Sequence, residues 1–527
     1  MIQYSRRLIN ALDTQPFFGI LFLSAFAFVY CLPALSAPFW TGNDAWSNLL
    51  PIIHYRDSIL NQHSLPLFTD LWYGGRFQWQ NPLWNFWYFP STLTWLAAPL
   101  DWGTRIVYFS HFIFALLAGR KLGSIFLSGE IERVSASLIL ASPVFPALTA
   151  GQTEKILAWG WVLLSLYFLL NNKNGSAKRG LLAGVCLAVV PITGANYHAL
   201  YTGLLVFLLA LSFQDKRLVS ALALGASVAV LHVPAILHLI GQPRGNAEQS
   251  ILQLSMSFTG LWSSLAFGLA KPMGWETWAM ISVPIVYLFL KTFLTKARQS
   301  ILLKQPEAFS HLDKALLAGM TLLALLATGF LYRGHHLLDA FRIPARAISF
   351  LALTVTIFVL NALAKNGRPG RVNFLLILAA LQIGLISFMI RPNGSPYGPY
   401  DAEAQELADT LIIDGAKNVW ISLQDLQGMS RLNDMYIQVA LTRNELGLPN
   451  VYYGDMGQEI ILQGDHCGYS FDHLLSTKSV VAGPLELNPD IEWSSVRSTI
   501  PVEQLLWIGQ VQVHENLYQV YRVVCDV

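Results

Sequence analysis

The chain has 527 residues, of which 54% are hydrophobic and only 13% charged, too few charges to solvate a soluble protein of that size. Its net charge of +2 conceals a division: residues 1 to 396 carry 28 basic against 14 acidic side chains, and residues 397 to 527 carry 6 against 18. A wholly soluble globule is excluded, and nucleic acid is not expected as a partner, because the acidic segment would repel phosphate.

Arg6 and Arg7 precede the first apolar run, Pro16 to Ala37. About 20 apolar residues cross a bilayer, whereas a signal-peptide core has about 7 to 15. The run is therefore expected to be an uncleaved first helix, although Ala34-Leu35-Ser36 resembles a small-residue cleavage site. Further apolar runs lie at 105–119, 134–150, 156–170, 180–196, 198–213, 218–240, 273–294, 315–332, 347–364 and 372–390. With the first they predict a membrane all-α bundle of eleven transmembrane helices. Pro143, Pro146, Pro191, Pro234 and Pro284 fall within these runs, where packed neighbours tolerate them.

Lys and Arg gather at one end of the runs: Arg6/Arg7, Arg120/Lys121 with Arg133, Lys173/Lys178/Arg179, Lys216/Arg217, Lys291/Lys296/Arg298 with Lys304, and Lys365/Arg368/Arg371. The positive-inside rule puts these ends in the cytoplasm. The expected location is a bacterial inner membrane, with the N-terminus cytoplasmic and the C-terminal domain periplasmic.

Four outward segments follow from that orientation: 38–104, the short Gly151-Gln152-Thr153-Glu154-Lys155, 241–272, and 333–346. The first is too long for a simple connection. Asp44 stands at its start, held near the interface by the first helix. His54, Arg56 and Asp57 follow on an amphipathic stretch, then Asp70 and Trp72-Tyr73-Gly74-Gly75-Arg76. The aromatic, Pro-interrupted stretch Asn81 to Pro90 suits a segment lying in the interface. Trp72, Trp79, Trp84 and Trp87 read either as an aromatic belt or as a sugar-lining set.

Pro392-Asn393-Gly394-Ser395-Pro396-Tyr397-Gly398-Pro399 is a linker of turn formers. It separates a transmembrane domain, 1–395, from a soluble α/β domain, 396–527. In the latter, Ala402 to Ile413 reads as a helix, Asn418 to Ser422 as a strand, and Gln510 to Val524 as two strands around His514-Glu515-Asn516. Cys467 and Cys525 both lie there, and an oxidising compartment would let them close into a disulfide.

The predicted spans hold almost no ionisable residues, which favours a reaction at the outer surface over conduction through the membrane. A carboxylate at Asp44 has the chemistry of a general base toward a lipid-borne substrate; Asp57 and Asp70 are the alternatives. Arg342 and Arg346, spaced i and i+4 with Pro344 suited to a helix start, would point together at a phosphate. They would equally serve as interface anchors. Lys155 and Glu154 are candidate ligand contacts in an outward turn, against the plain reading of a solvated turn with its own ion pair. His335, His336 and Arg76 complete the candidate substrate-binding set.

The first helix leading to a long outer loop with an early acid, then Gly74-Gly75-Arg76, Asn81-Pro82-Leu83-Trp84, and a distal Phe341-Arg342-Ile343-Pro344-Ala345-Arg346, resembles the polytopic GT-C glycosyltransferases and their poorly characterised bacterial relatives. The resemblance covers the layout of residues 15 to 395. It implies an enzyme that takes a sugar from a polyprenyl-phosphate carrier on the non-cytoplasmic face and delivers it, with inversion, to a glycan, lipid or protein acceptor. Asp44 would be the base. Members with a paired Asp-Glu need a second acid, and here the neighbour is Asn43; the Trp-Trp-Asp signature of oligosaccharyltransferases is absent. No cofactor is certain, and a divalent metal stays open.

Walker-type phosphate loops, Asp-x-Asp and zinc-spaced His/Cys clusters are missing, which argues against a nucleotide-sugar donor and a zinc site. Two alternatives belong to other classes. A lipid or polysaccharide transporter would need paired broken helices around a midplane polar site; a non-catalytic envelope assembly protein would need only a docking surface on its outer domain.

Overall fold

A computed structural model describes residues 15–40, 43–69, 76–77, 85–171, 176–213, 215–232, 255–267, 281–332, 344–366, 374–421, 435–446, 472–476, 485–486, 499–500, 504–514 and 516–525. The chain divides into two compact units. One comprises Met1–Pro33, Ile106–Ile240 and Ala247–Asn393; the other comprises Ala34–Arg105, Gly241–Asn246 and Gly394–Val527.

The first unit is helical among the described residues. Its elements are α1 (Pro16–Ser36), which ends in the second unit, most of α4 (Leu100–Gly123), and α5 (Glu130–Leu140) followed by α6 (Val144–Ala150). Next come α7 (Thr153–Leu170), α8 (Ala177–Ile192), α9 (Asn196–Ser212) and α10 (Lys216–Ala226), which runs into a 3-10 turn at Ser227–His232. The unit closes with α11 (Phe258–Phe267), α12 (Val283–Leu302), α13 (His311–Ala327), α14 (Ile348–Asn366) and α15 (Phe374–Met389).

Each of the eleven expected apolar runs contains helix. Among the described residues, however, length and hydropathy qualify only Pro16–Ser36, Leu100–Gly123, Thr153–Leu170 and Ile348–Lys365 as membrane spans, with a fifth if α5 and α6, bent by 48°, count as one. Asn196–Ser212, Arg217–Val230 and Phe374–Met389 are apolar but shorter. The eleven crossings of the sequence reading thus become four or five by this measure. The breaks have local causes: Pro143 stands as N-cap of α6, Pro191 sits in the last turn of α8, and α10 tightens into 3-10 geometry.

Small residues set the closest helix packing. A Cβ on Gly184 of α8 would overlap the Leu222 carbonyl oxygen, and one on Gly225 of α10 would overlap the Leu181 carbonyl oxygen. The two backbones therefore touch, as small-residue seams allow. Gly19 similarly makes room for Glu130, whose buried carboxylate pairs with Arg120 and, at 3.5 Å, with Arg133. Asp313 joins three helices: it completes the Ser310 capping box of α13, accepts from Lys296 of α12 at 2.6 Å, and accepts from Asn361 of α14 at 2.9 Å.

The second unit combines the first outer segment with the C-terminal segment. Its parts are β1 (Phe39–Trp40), α2 (Asn43–Leu60), β2 (Phe68–Thr69), β3 (Arg76–Phe77), α3 (Phe89–Ala97), β4 (Gly394–Ser395), α16 (Ala402–Ile413), β5 (Val419–Ile421), α17 (Met435–Arg443), β6 (His473–Ser476), β7 (Leu485–Glu486), β8 (Thr499–Ile500), β9 (Leu505–Val513) and β10 (Asn516–Val523). β1 pairs antiparallel with β4, Phe39 opposite Ser395 and Trp40 opposite Gly394. Arg56 of α2 donates to the carbonyls of Trp95 and Ala98, so a cation satisfies the C-terminal end of α3.

The main sheet has the order β5-β6-β10-β9, with β5 and β6 parallel and β10 antiparallel to both its neighbours. Its core holds Val419, Trp420, Leu474, Leu475, Tyr518 and Val520. α16 is capped by Asp401, which accepts from the Ala404 amide at 3.0 Å, and buries Ala404, Leu407, Ala408 and Leu411. That i, i+3, i+4, i+7 pattern is one helix face. The α/β character expected of the C-terminal segment is present.

Candidate functional site

Two turns of the first unit are built alike. Gly151 and Gly194 adopt left-handed φ values of 71° and 84°, which glycine takes at no steric cost. Two residues after each, a helix begins: α7 at Thr153 and α9 at Asn196. Lys155 and His198 are consequently the third residues of their helices. Tyr108 of α4 braces the first turn, donating to the Gly151 carbonyl at 3.2 Å and pairing with the Thr153 hydroxyl.

A third helix start joins them. Pro344–Ala347 forms a 3-10 turn that leads directly into α14, and it carries Arg346. The Arg346 guanidinium lies over the Tyr197 ring, 4.4 Å from its centroid, a cation–π contact. The charges of both Lys155 and Arg346 act on His198, so three helix starts bring a lysine, an arginine and a histidine together.

Lys155 and His198 are buried and Arg346 is half-buried. Lys155 is 4% exposed and His198 5%. The His198 ring is held edge-on between Trp159, 6.0 Å away, and Phe350, 5.5 Å away. Trp159 is itself fixed by donating its indole N–H to the Leu140 carbonyl at 2.9 Å. Two buried atoms, His198 Nδ1 and Gln152 Oε1, have no hydrogen-bond partner among the described residues.

The electrostatics run against ordinary helix design. The N-terminal end of a helix carries partial positive charge, which favours anions there and disfavours cations. Glu154, half-buried in the first turn of α7, follows that rule; Lys155 and Arg346 break it. Two cations packed against positive helix ends create a strong field for an anion, and exposed backbone N–H groups at such ends are suited to phosphate.

The expected solvated turn at 151–155 is corrected by this arrangement: Thr153, Glu154 and Lys155 are helical, and Lys155 is buried. Asp44 lies in the first turn of α2, and Arg76 in β3, both in the second unit; their side chains are outside the described residues. Arg342, His335, His336, Asp70 and Cys467 also lie outside them. Cys525 is disulfide-bonded, whereas Cys31 and Cys186 are free. Asp57 is engaged by Asn61 at 2.6 Å and Gln62 at 2.8 Å at the end of α2. Among the described residues, no three His, Cys, Asp or Glu side chains gather as a metal site would require.

His198, Tyr197 and Trp159 were missed in the sequence. The available signal was the parallel between Gly151-Gln152-Thr153-Glu154-Lys155 and Gly194-Ala195-Asn196-Tyr197-His198, a glycine three residues before the polar pair that ends each stretch.

A second polar cluster, in the C-terminal segment, is saturated. His473 Nδ1 meets Asp472 Oδ1 at 2.5 Å and its Nε2 meets Asp414 Oδ2 at 2.9 Å, while Arg522 Nε donates to Asp414 Oδ2 at 2.8 Å. Asp472 also accepts from the Lys417 and Asn418 amides at 3.1 Å. Every member is engaged within the protein, so this cluster holds β6, β10 and the end of α16 together.

No family model matches the chain, and no curated protein matches it. Among solved structures, it is similar to the crystal structure of ArnT from Cupriavidus metallidurans bound to undecaprenyl phosphate, with 11% sequence identity, a TM-score of 0.46, and coverage of 96% of this chain and 98% of that one.

Proposed function

We propose that the protein is a membrane glycosyltransferase that moves a sugar from a polyprenyl-phosphate carrier to an acceptor on the outer face of a bacterial inner membrane. The observation that supports this reading is the convergence of buried Lys155 and half-buried Arg346 at helix starts beside His198, a concentration of positive charge suited to a phosphate. The scarcity of charge in the apolar helices and the long outer segment after α1 agree with an interfacial reaction on a lipid-borne substrate.

The step is a single displacement. The acceptor hydroxyl oxygen bonds to the anomeric carbon and gives its proton to the base, Asp44. The carbon–oxygen bond to phosphate breaks, and its electron pair remains on the carrier's phosphate. Lys155 and Arg346 stabilise that developing charge, and Arg342 is assigned to the same phosphate. Glu154, Arg76, His335 and His336 are assigned to sugar and acceptor contacts. The C-terminal segment helps to hold the acceptor.

Full-length protein in lipid nanodiscs tests this reading. Lys155→Met and Arg346→Met are each expected to weaken undecaprenyl phosphate binding by about tenfold or more, since hydrogen bonds to charged groups contribute about 1.5–3 kcal/mol. Asp44→Asn is expected to leave that binding intact and to lower transfer of labelled sugar from the lipid pool by about 10²–10⁴. Unchanged binding by both cation variants would remove the phosphate site and the proposal with it.

A further inference from the structure

His198 has no role in the reading above, yet it occupies in α9 the position that Lys155 occupies in α7. Both are third residues of helices that start two residues after a left-handed glycine. Its ring is pinned between Trp159 and Phe350, it feels the charges of Lys155 and Arg346, and its Nδ1 is buried with no hydrogen-bond partner among the described residues. A buried polar atom without a partner costs roughly 1–3 kcal/mol. Such atoms are completed by ordered water, an ion or a ligand, and this one lies beside two cations.

Resting on the reading of the Lys155–Arg346 cluster as the carrier's phosphate site, we infer that His198 is a third phosphate ligand, donating a hydrogen bond to the oxygen that gains charge as the sugar departs. The carrier enters as a phosphodiester with one negative charge. It leaves as a monoester, whose second proton has a pKa of about 6, so the product is close to a dianion at neutral pH. A donor beside Lys155 and Arg346 gains strength as that second charge appears, and interactions that strengthen along the reaction are those that accelerate it. The aromatic walls restrict the imidazole to one orientation, so its hydrogen bond needs little reorganisation when charge appears.

The prediction separates the two lipids. In nanodiscs at pH 7.5, the wild-type protein should bind undecaprenyl phosphate about tenfold more tightly than its methyl ester, which has the same chain but a single charge. His198→Phe keeps an aromatic ring between Trp159 and Phe350 but has no donor; it should shrink that preference to about twofold while still binding the ester. His198→Gln, which retains an N–H, should restore part of the preference. His198→Met replaces the Phe variant should the larger ring fail to pack. If the donor-less variants keep the full preference while Lys155→Met and Arg346→Met lose affinity for both lipids, His198 is not a phosphate ligand and the site reading stands. If the cation variants also bind both lipids as the wild type does, the site itself is wrong and the inference falls with it.

Discussion

At the scale of single residues, His473 shows how the C-terminal segment depends on pH. Burial pushes its imidazole down, but hydrogen bonds to Asp472 and Asp414 outweigh this and hold it above its ordinary 6.5. Asp414 is held below the ordinary 3.8 by Arg522, with a further contribution from His473. Asp472 is raised by burial yet held lower still by His473 and by the Lys417 and Asn418 amides. A raised histidine contributes stability that is complete below 6.5 and fades as pH rises through its folded value. Lowered aspartates contribute stability present above 3.8 and lost as pH falls. The protection factors of the β6 amides, exchange corrected for its intrinsic pH dependence, should therefore be greatest between these limits and fall on both sides, and His473→Gln should abolish the alkaline fall. A flat profile above 6.5 in the wild type would dissolve the argument.

The same scale shows what the amino-acid order made readable. Lys155 was visible because a lysine beside a short polar turn is conspicuous among apolar runs. His198 was not, because a histidine at the edge of an apolar run usually satisfies itself within the core; only the fold reveals that its neighbours are Lys155 and Arg346. Arg56 was noticed for its charge, yet it caps α3.

Among the elements, the presence of helix in each apolar run was legible, because apolar runs of this length have few other structures available to them; bounds were less so, since α12 is Val283–Leu302 where 273–294 was expected, and α11 falls in a segment read as an outer loop. α16 and the β9–β10 hairpin were equally plain from turn formers and alternation. Helix breaks were less so, since Pro191 stands in the last turn of α8 while Pro33 sits inside α1 without ending it. The seam between α8 and α10 depends on Gly184 and Gly225, whose missing side chains let carbonyl oxygens approach. Gly184→Val should separate the two helices and destabilise the bundle by about 1–3 kcal/mol, the usual cost of overpacking. Thermal unfolding in detergent measures it, with Gly203→Ala as the control because a Cβ there meets nothing within 4 Å. Equal melting of the two variants would show that the seam does not limit stability.

For the molecule as a whole, the alternation of basic clusters supports the proposed orientation. Lys178 and Asp409 are both exposed, and the reading assigns them to opposite sides. A cysteine at 409 should react with a membrane-impermeant maleimide in intact cells, whereas one at 178 should react only after permeabilisation; the reverse pattern would put the chemistry in the cytoplasm. A boundary near residue 394 was expected from its Pro and Gly content. That residues 34–105 belong to the same unit as the C-terminal segment was not, because it depends on contacts between stretches far apart in sequence.

The two-residue ladder between β1 and β4 gives biosynthesis a waiting period. Phe39 and Trp40 follow α1, but their backbone partners, Ser395 and Gly394, are translated only after α15. At ribosomal speeds of about 5–20 residues per second, those two fully buried aromatics stay unzipped for roughly tens of seconds. The nascent chain must shelter them until its last quarter arrives.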